Sequence, residues 1–153
     1  MQEPVFFRSL FELHVELADA LDLGQTPAGH RRVINIVGGR FDGERLRGRV
    51  LTGGADWQIV RADGVAVLDA RYTLQADDGA LIQVTSQGLR RGPADVLARI
   101  ARGEDPDPSL YYFRTALRFE TGAPQYAFLN DLLAVGFGRR RPRAVELRVQ
   151  ELL

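Results

Sequence analysis

Apolar and polar residues alternate along most of this chain. In one such stretch Phe11, Leu13, Val15 and Leu17 are separated by single polar residues, which is the period of two typical of a strand with one buried face. The same alternation predicts nine strands, which cover residues 5–17, 31–37, 44–51, 55–61, 65–76, 80–88, 110–120, 126–137 and 143–152. The short intervals between these strands favour an antiparallel sheet.

Turn residues separate the predicted strands. Asp63-Gly64 and Asp78-Gly79 stand between alternating segments and predict β-hairpins with type I′ turns, which need positive φ. Further turn signals are Gly38-Gly39, Asp42-Gly43, Gly53-Gly54 and Gly122-Ala123-Pro124.

One short helix is predicted over residues 93–102, with Pro93 at its first position and Gly103 just past its end. A single helix among many strands favours an all-β fold, a single antiparallel β-barrel, closed as in the lipocalins and calycins, of about 8–10 strands. A β-sandwich is the alternative that the periodicity leaves open. Because no linker or repeat interrupts the pattern, residues 1–153 are expected to form one domain.

The amino-acid composition excludes several classes of catalytic group and cofactor. The 153 residues include 20 basic and 20 acidic side chains and no cysteine, so disulfides and thiol nucleophiles are excluded. All basic residues are arginine, which excludes Schiff-base lysines. His14 and His30 are too few to predict a metal site, and no nucleotide-binding motif occurs, so no cofactor is expected. Without a signal-like start or a long apolar run, we expect a cytoplasmic protein with no membrane contact.

Polar residues interrupt the apolar pattern of strand 65–76. Val67, Asp69, Arg71 and Thr73 share one face of this strand, whereas Tyr72 lies on the other. A face that turns from apolar to polar is typical of a cavity wall with a polar mouth. The alternative is that Asp69 and Arg71 point to solvent.

Strand 110–120 carries Tyr112, Arg114 and Glu120 on one face. An arginine fork can hold a carboxylate or enolate in two-point geometry, and a tyrosine hydroxyl can stabilise an oxyanion. The alternative is a structural ion pair between Arg114 and either Asp69 or Glu120.

Residues 53–57, Gly-Gly-Ala-Asp-Trp, combine a flexible turn with a carboxylate and the only tryptophan. In a functional interpretation Asp56 is a general base, and Trp57 is a stacking wall or an apolar neighbour that raises a carboxyl pKa. In a structural interpretation the glycines form a hairpin turn and Trp57 belongs to the core.

Arginines cluster at residues 139–143, and more weakly at 31–32 and 90–91. Because the overall charge is balanced and no recognition motif is present, we interpret run 139–143 as a solvated hairpin tip and expect no nucleic-acid partner. The apolar end of strand 143–152 could pair with a second copy, which makes a homodimer the expected assembly.

Several blocks of the sequence together resemble a known family. They are GGRFDG at 38–43, LRG at 46–48, GGADW at 53–57, LDARYTL at 68–74, DDGALI at 77–82, YYFRT at 111–115, FETG at 119–122 and residues 126–130. In order and spacing they resemble the domain of unknown function 3237 family, also called uncharacterised protein family 0311. The resemblance covers nearly the whole chain and implies a small β-barrel. The chain departs from the family pattern at Gln83, Leu117 and Phe128. If the family's aromatic positions line a cavity, Gln83 and Phe128 would enlarge it.

The leading functional hypothesis is a barrel that binds a small aromatic or carboxylated molecule and catalyses cofactor-free acid–base chemistry on it, as an isomerase, cyclase, lyase or hydratase. The predicted catalytic residues are Asp56, Asp69, Arg114 and Tyr112. The predicted substrate-binding residues are Trp57, Arg71, Tyr72, Glu120, Phe128 and Asn130. The alternative is a carrier or sensor barrel that binds a small ligand without turnover.

Overall fold

The computed structural model of the protein describes residues 2–153. Its strands are β1 (Phe7–Leu17), β2 (Leu21–Thr26), β3 (Gly29–Asp42), β4 (Arg47–Val50), β5 (Ala55–Val60), β6 (Ala66–Ala76), β7 (Leu81–Arg91), β8 (Tyr112–Glu120), β9 (Ala134–Arg141) and β10 (Ala144–Leu152). Helix α1 (Ala94–Ala101) follows β7, and short 3₁₀ segments lie at Pro108–Leu110 and Pro124–Asp131.

Antiparallel pairing closes these strands into a ring. Strand β1 pairs with β10, which is followed by β9, β8, β7 and β6. Strand β6 pairs with β4 and β5, both of which pair with β3, and β3 returns to β1. The result is a closed barrel of eight strands with two extra strands and one short helix. The predicted all-β barrel is therefore confirmed, and the sandwich alternative is wrong.

One end of the barrel is packed with aromatic and aliphatic side chains. The Phe11 ring meets the rings of Phe41 and Phe119 edge to face, at centroid distances of 5.4 and 5.9 Å. Leu74 and Ile82 are fully buried at the same end. Burial of each such side chain contributes roughly 1.5–3 kcal/mol. This end is therefore sealed, and access to the interior is from the end where α1 lies.

The two predicted hairpins form, but with a different turn. Gly64 donates its N–H to the Arg61 carbonyl at 2.9 Å, and Arg61 donates to the Val65 carbonyl at 2.8 Å. Only the glycine has positive φ, +88° at Gly64 and +92° at Gly79, and no other residue type does so within residues 2–153. These are three-residue loops in which a type I turn is followed by a left-handed glycine. The hairpins are confirmed, and the type I′ prediction is wrong.

The predicted strand at 126–137 is also wrong in its first half. Residues Pro124–Asp131 form a 3₁₀ segment, and β9 begins only at Ala134. The side chain of Asn130 holds this segment to the end of β8, because it accepts the Thr121 N–H at 2.8 Å and donates to the Thr121 carbonyl at 2.9 Å. These local hydrogen bonds compete with strand pairing.

Gly38-Gly39 is not a turn but lies inside β3, where this strand crosses β1. Gly39 has a φ of +135°, and a Cβ there would overlap the carbonyl oxygen of His14. The glycine therefore allows a close approach of two backbones that any side chain would prevent. Strand β2, which extends along β3 beyond β1, has no counterpart in the predicted strands.

The predicted helix at 93–102 is confirmed as α1, which buries Val96 and places Leu97 and Ile100 at the open end of the barrel. Among residues 2–153, no helix has the length and apolar character needed to span a membrane.

Candidate functional site

A cavity of about 60 Å³ lies inside the barrel between its sealed end and its open end. We call this space the inner cavity. Its apolar wall is formed by Val15, Leu17, Ile34, Ile36, Leu68, Ala70, Phe113, Val145 and Leu147. Its polar groups come from Asp56, Gln58, Tyr72, Ser86, Arg90, Thr115 and Arg140. A space of this size holds a few waters or one short group of a larger molecule.

Strand parity explains why these polar residues face inward. On β7, Ser86 and Arg90 share a face with the core residues Ile82 and Val84. On β5, Asp56 and Gln58 likewise share the inward face. Side chains two apart in a strand point the same way, so the polar residues are carried into the barrel by the same alternation that builds its core.

Among residues 2–153, Asp56 is the only carboxylate that lines the inner cavity. One of its oxygens accepts the backbone N–H of Asp69 at 2.8 Å, and the other accepts from the Gln58 amide at 3.5 Å. Burial raises the pKa of Asp56 above its usual value of 3.8, although both hydrogen bonds and the charge of Arg90 act in the opposite direction. The carboxyl is therefore held near an apolar surface with its charged form disfavoured.

We expect the carboxyl of Asp56 to titrate above pH 3.8 in a ¹³C NMR experiment, whereas Asp22 should titrate below it. Asp22 accepts the Gly24 N–H and contacts His30, which lower its pKa. Since the folded pKa of Asp56 is raised, its favourable contribution to stability is complete below pH 3.8 and is lost as the pH rises through the folded value. As the pH rises over this range, the unfolding free energy of the Asp56→Asn variant should therefore increase relative to that of the wild type. A midpoint at or below 3.8 would contradict the assignment.

Two buried hydroxyls in the inner cavity have no hydrogen-bond partner among residues 2–153. They belong to Tyr72, which is 4% exposed, and Thr115, which is 6% exposed. Burial raises the pKa of Tyr72 far above that of a free tyrosine, so its hydroxyl stays neutral and remains a donor. Buried polar groups are nearly always paired, so each of these two is positioned to bond a molecule in the cavity.

Gln58 connects the inner cavity to the open end. Its side chain is 1% exposed, its amide nitrogen donates to Asp56, and its oxygen accepts from Arg32 at 3.4 Å. Because both ends of the amide are engaged, the orientation of Gln58 is fixed. Arg32 and Asp56 are thereby linked through one buried side chain.

A family model described as a protein of unknown function, DUF3237, matches residues 7–152. The chain belongs to the DUF3237 family. A curated relative, the UPF0311 protein of Rhodopseudomonas palustris, is 40% identical over 144 residues, which is 94% of each chain. The resemblance seen in the sequence is therefore confirmed.

Solved structures share the fold of this DUF3237 chain. A β-barrel-like protein from Acinetobacter baumannii AYE has a TM-score of 0.87 at 43% identity, with 100% of this chain and 99% of that chain covered. An enzyme from Penicillium herquei has a TM-score of 0.74 at 24% identity, with 100% and 98% covered. At that identity the second comparison establishes the barrel and nothing about the reaction.

Of the site residues predicted for this DUF3237 chain, only Asp56 and Tyr72 line the inner cavity. Asp69 and Arg71 occupy the opposite face of β6 from Tyr72, on the outer wall, and Arg71 is exposed. The sequence leaves two orientations open for the β6 face that carries Asp69 and Arg71. In the structure this face points away from the barrel interior. One Asp69 oxygen is buried there without a hydrogen-bond partner among residues 2–153.

The predicted groups of strand 110–120 also lie on the outer wall. Arg114 donates to the Phe113 carbonyl at 2.9 Å, and its guanidinium lies 5.4 Å from the Tyr112 ring and 4.7 Å from the Phe137 ring. Glu120 is exposed. Neither predicted ion pair of Arg114 is found among residues 2–153. This cluster is separated from the inner cavity by the barrel wall.

The remaining predicted residues are outside the cavity as well. Trp57 is 41% exposed and so is not a core residue. Phe128 lies under the Arg45 guanidinium at 4.6 Å, and Asn130 holds the 3₁₀ segment described above. Gln83 is exposed. Neither Gln83 nor Phe128 lines the inner cavity, so the condition under which they would enlarge it is not met.

Sequence reasoning missed five of the inward-facing polar residues, which are Gln58, Ser86, Arg90, Thr115 and Arg140. Parity was the signal that could have found them. The predicted strand 80–88 ends two residues before Arg90, and Arg140 lies in the run 139–143 that the sequence predicts to be a solvated hairpin tip. In the structure Arg139 and Arg141 pair with Asp105 outside, whereas Arg140 lies on the inward face with Gly136 and Gly138.

Proposed function

We propose that the barrel binds a small organic molecule through its open end and catalyses cofactor-independent acid–base chemistry on it, as an isomerase, cyclase, lyase or hydratase. The observation that supports this most directly is the combination found in the inner cavity. A buried carboxyl with a raised pKa lies in the same apolar space as two hydroxyls that have no hydrogen-bond partner in the described part of the chain. Perturbed carboxyls in a cavity are typical of groups that move protons.

Each inward-facing group has a role in such a reaction. Asp56 would remove or return a proton at carbon, since its raised pKa brings its proton affinity closer to that of the reacting group. The neutral hydroxyls of Tyr72 and Thr115 would donate to an oxygen that gains negative charge. The apolar wall lowers the local dielectric constant and so strengthens both interactions.

The barrel fold is compatible with catalysis, because the fungal protein described as an enzyme has the same architecture. The second candidate is a carrier or sensor, and the small size of the inner cavity favours it. A space of about 60 Å³ can hold one end of a ligand, and holding that end does not require the ligand to react. The two functions differ in whether a proton of the bound molecule exchanges with solvent.

Solvent exchange separates the two candidates. Small aromatic and unsaturated compounds, both neutral and acidic, are incubated with the protein in D₂O, and deuterium entry at carbon is followed by ¹H NMR and mass spectrometry. We expect at least one compound to gain deuterium with wild type and not with Ser86→Leu, which fills the inner cavity. A compound that binds in the cavity, is displaced by the Ser86→Leu change and never exchanges would establish the carrier instead.

A further inference from the structure

The inner cavity opens into a wider space of about 630 Å³, which we call the vestibule. It is bounded by the end of β1, by α1 and by the β9–β10 hairpin. Arg32, Arg90 and Arg140 project into it from three different strands. Arg90 and Arg140 line both spaces, so they mark the passage from the vestibule to the inner cavity.

These three arginines have no ion-pair partner among residues 2–153, whereas their neighbours on the β9–β10 hairpin do. Arg139 and Arg141 share Asp105, and Arg143 pairs with Asp19. In contrast, the guanidinium of Arg140 donates only to the backbone carbonyls of Arg141 and Ala144. Other arginines without an ion pair in the described part of the chain, such as Arg114, lie on the outer wall, whereas Arg32, Arg90 and Arg140 face the vestibule.

Arg90 is the most buried of the three arginines, with 9% of its surface exposed. Its guanidinium lies 5.8 Å from the Phe113 ring, and no acceptor among residues 2–153 bonds to it. Burial, together with the charges of Arg140 and Arg32, lowers the pKa of Arg90 to about 10, which leaves it charged at neutral pH. A desolvated charge without a counter-ion is costly, so the site is electrostatically incomplete without an anion.

The acidic groups nearby do not supply that anion. Asp56 lies deeper, where its oxygens are already engaged by Asp69 and Gln58. Asp19 and Asp63 border the vestibule, but they bond to Arg143 and Arg61. With Asp56 ionised, the three guanidiniums still leave a net charge of about +2 over the passage.

We infer that the vestibule binds the carboxylate of an organic acid at Arg32, Arg90 and Arg140, with the apolar body of the acid entering the inner cavity. A guanidinium fork matches a carboxylate in bidentate geometry. The cost of desolvating an ion rises with the square of its charge, so a carboxylate suits this buried passage better than a phosphate dianion.

The strand register gives the orientation of the acid. Arg90 is at the level of Ala66 and Phe113, near the open end, whereas Tyr72 is at the level of Val84. The backbones at these two levels are six residues apart on β7, which is about 20 Å along a strand, and the side chains of Arg90 and Tyr72 both reach into the inner cavity between them. The carboxylate would therefore stay at the arginines while the far end of the acid reaches Asp56 and Tyr72. That reactive orientation rests on the proposed function, whereas the anion site does not.

Calorimetry at low salt tests the anion site. The probes are benzoate, phenylacetate, 3-phenylpropanoate and octanoate, each with its neutral amide, and phenyl phosphate. At least one acid should bind at least about tenfold more tightly than its amide, and 3-phenylpropanoate or benzoate more tightly than phenyl phosphate. Failure of all four acids to bind, equal binding of acid and amide, or preference for the phosphate would overturn the inference.

Matched variants locate the site. Arg32→Gln and Arg140→Gln should each weaken binding about tenfold or more, while their sequence neighbours Arg31→Gln and Arg141→Gln should change it less than twofold. Arg31 donates to the Trp57 carbonyl and Arg141 pairs with Asp105, both outside the vestibule. Equal effects in the two sets would overturn the inference. Acid binding by the wild-type protein without any solvent exchange would sustain the anion site and refute the proposed catalysis.

Discussion

Replacing Asp56 by asparagine is expected to reduce solvent-deuterium exchange at least about 100-fold while leaving acid binding intact. The substitution keeps the size of the side chain and can still accept the Asp69 N–H, but it removes the group that takes up the proton. General acid–base groups typically contribute 10²–10⁴-fold, which sets the scale of the loss. Exchange rates and calorimetric affinities on the same protein samples provide the measurement.

Asp69→Asn is the matched control for this experiment. Asp69 belongs to the same hydrogen-bonded pair but contributes its backbone N–H, and its carboxylate faces the outer wall. We expect exchange to stay within about threefold of wild type in this variant. An Asp69→Asn protein as slow as Asp56→Asn, or an Asp56→Asn protein at wild-type rate, would refute the role of Asp56.

Removing both unpaired hydroxyls should make the protein more stable and less functional. The double variant Tyr72→Phe, Thr115→Val keeps the shape of the cavity wall and deletes two buried polar groups without partners. Each such group costs about 1–3 kcal/mol, so the unfolding free energy should rise by about 2–6 kcal/mol. The same variant should lose exchange activity, because the donors to the bound molecule are gone. Urea denaturation and the exchange assay measure both effects.

The Tyr111→Phe variant is the control for stability, because this substitution should lower the unfolding free energy, whereas Tyr72→Phe should raise it. Tyr111 is as buried as Tyr72 at 7% exposure, but its hydroxyl accepts the backbone N–H of Arg140 at 2.8 Å. Loss of this bond is expected to cost about 1 kcal/mol. If Tyr72→Phe and Tyr111→Phe destabilised the protein equally, the Tyr72 hydroxyl would have to be satisfied within the protein, and the argument for a ligand there would fail.

The barrel could be predicted from the sequence because most of its strands alternate with a period of two. The alternation around Phe11 and Leu13 predicts a strand with one buried face, and the glycines at 64 and 79 predict hairpins. The alternation predicts the wrong structure where local hydrogen bonds or close backbone packing outweigh it. Side-chain bonds from Asn130 turned part of a predicted strand into a 3₁₀ segment, and a backbone crossing required Gly39 inside a strand.

The site was harder to predict, because parity identifies two faces without saying which one is inside. For strand 110–120 the functional hypothesis selected the face with Tyr112 and Arg114, whereas the closed ring turns Phe113 and Thr115 inward. The chemistry expected of an arginine was therefore assigned to the outer wall. The arginines that do face inward, Arg90 and Arg140, follow small or apolar residues of the same parity. That pattern can be interpreted only once the inner face is known.

The most direct test of the account is a crystal structure of the protein soaked with 4-bromobenzoate, in which anomalous scattering locates the bromine. We expect the carboxylate to contact Arg90 and Arg140 and the bromine to lie within the inner cavity, toward Tyr72 and Thr115. Bromine in the vestibule with the carboxylate pointing to solvent, or bromine outside the barrel at a concentration that saturates binding in solution, would contradict the account.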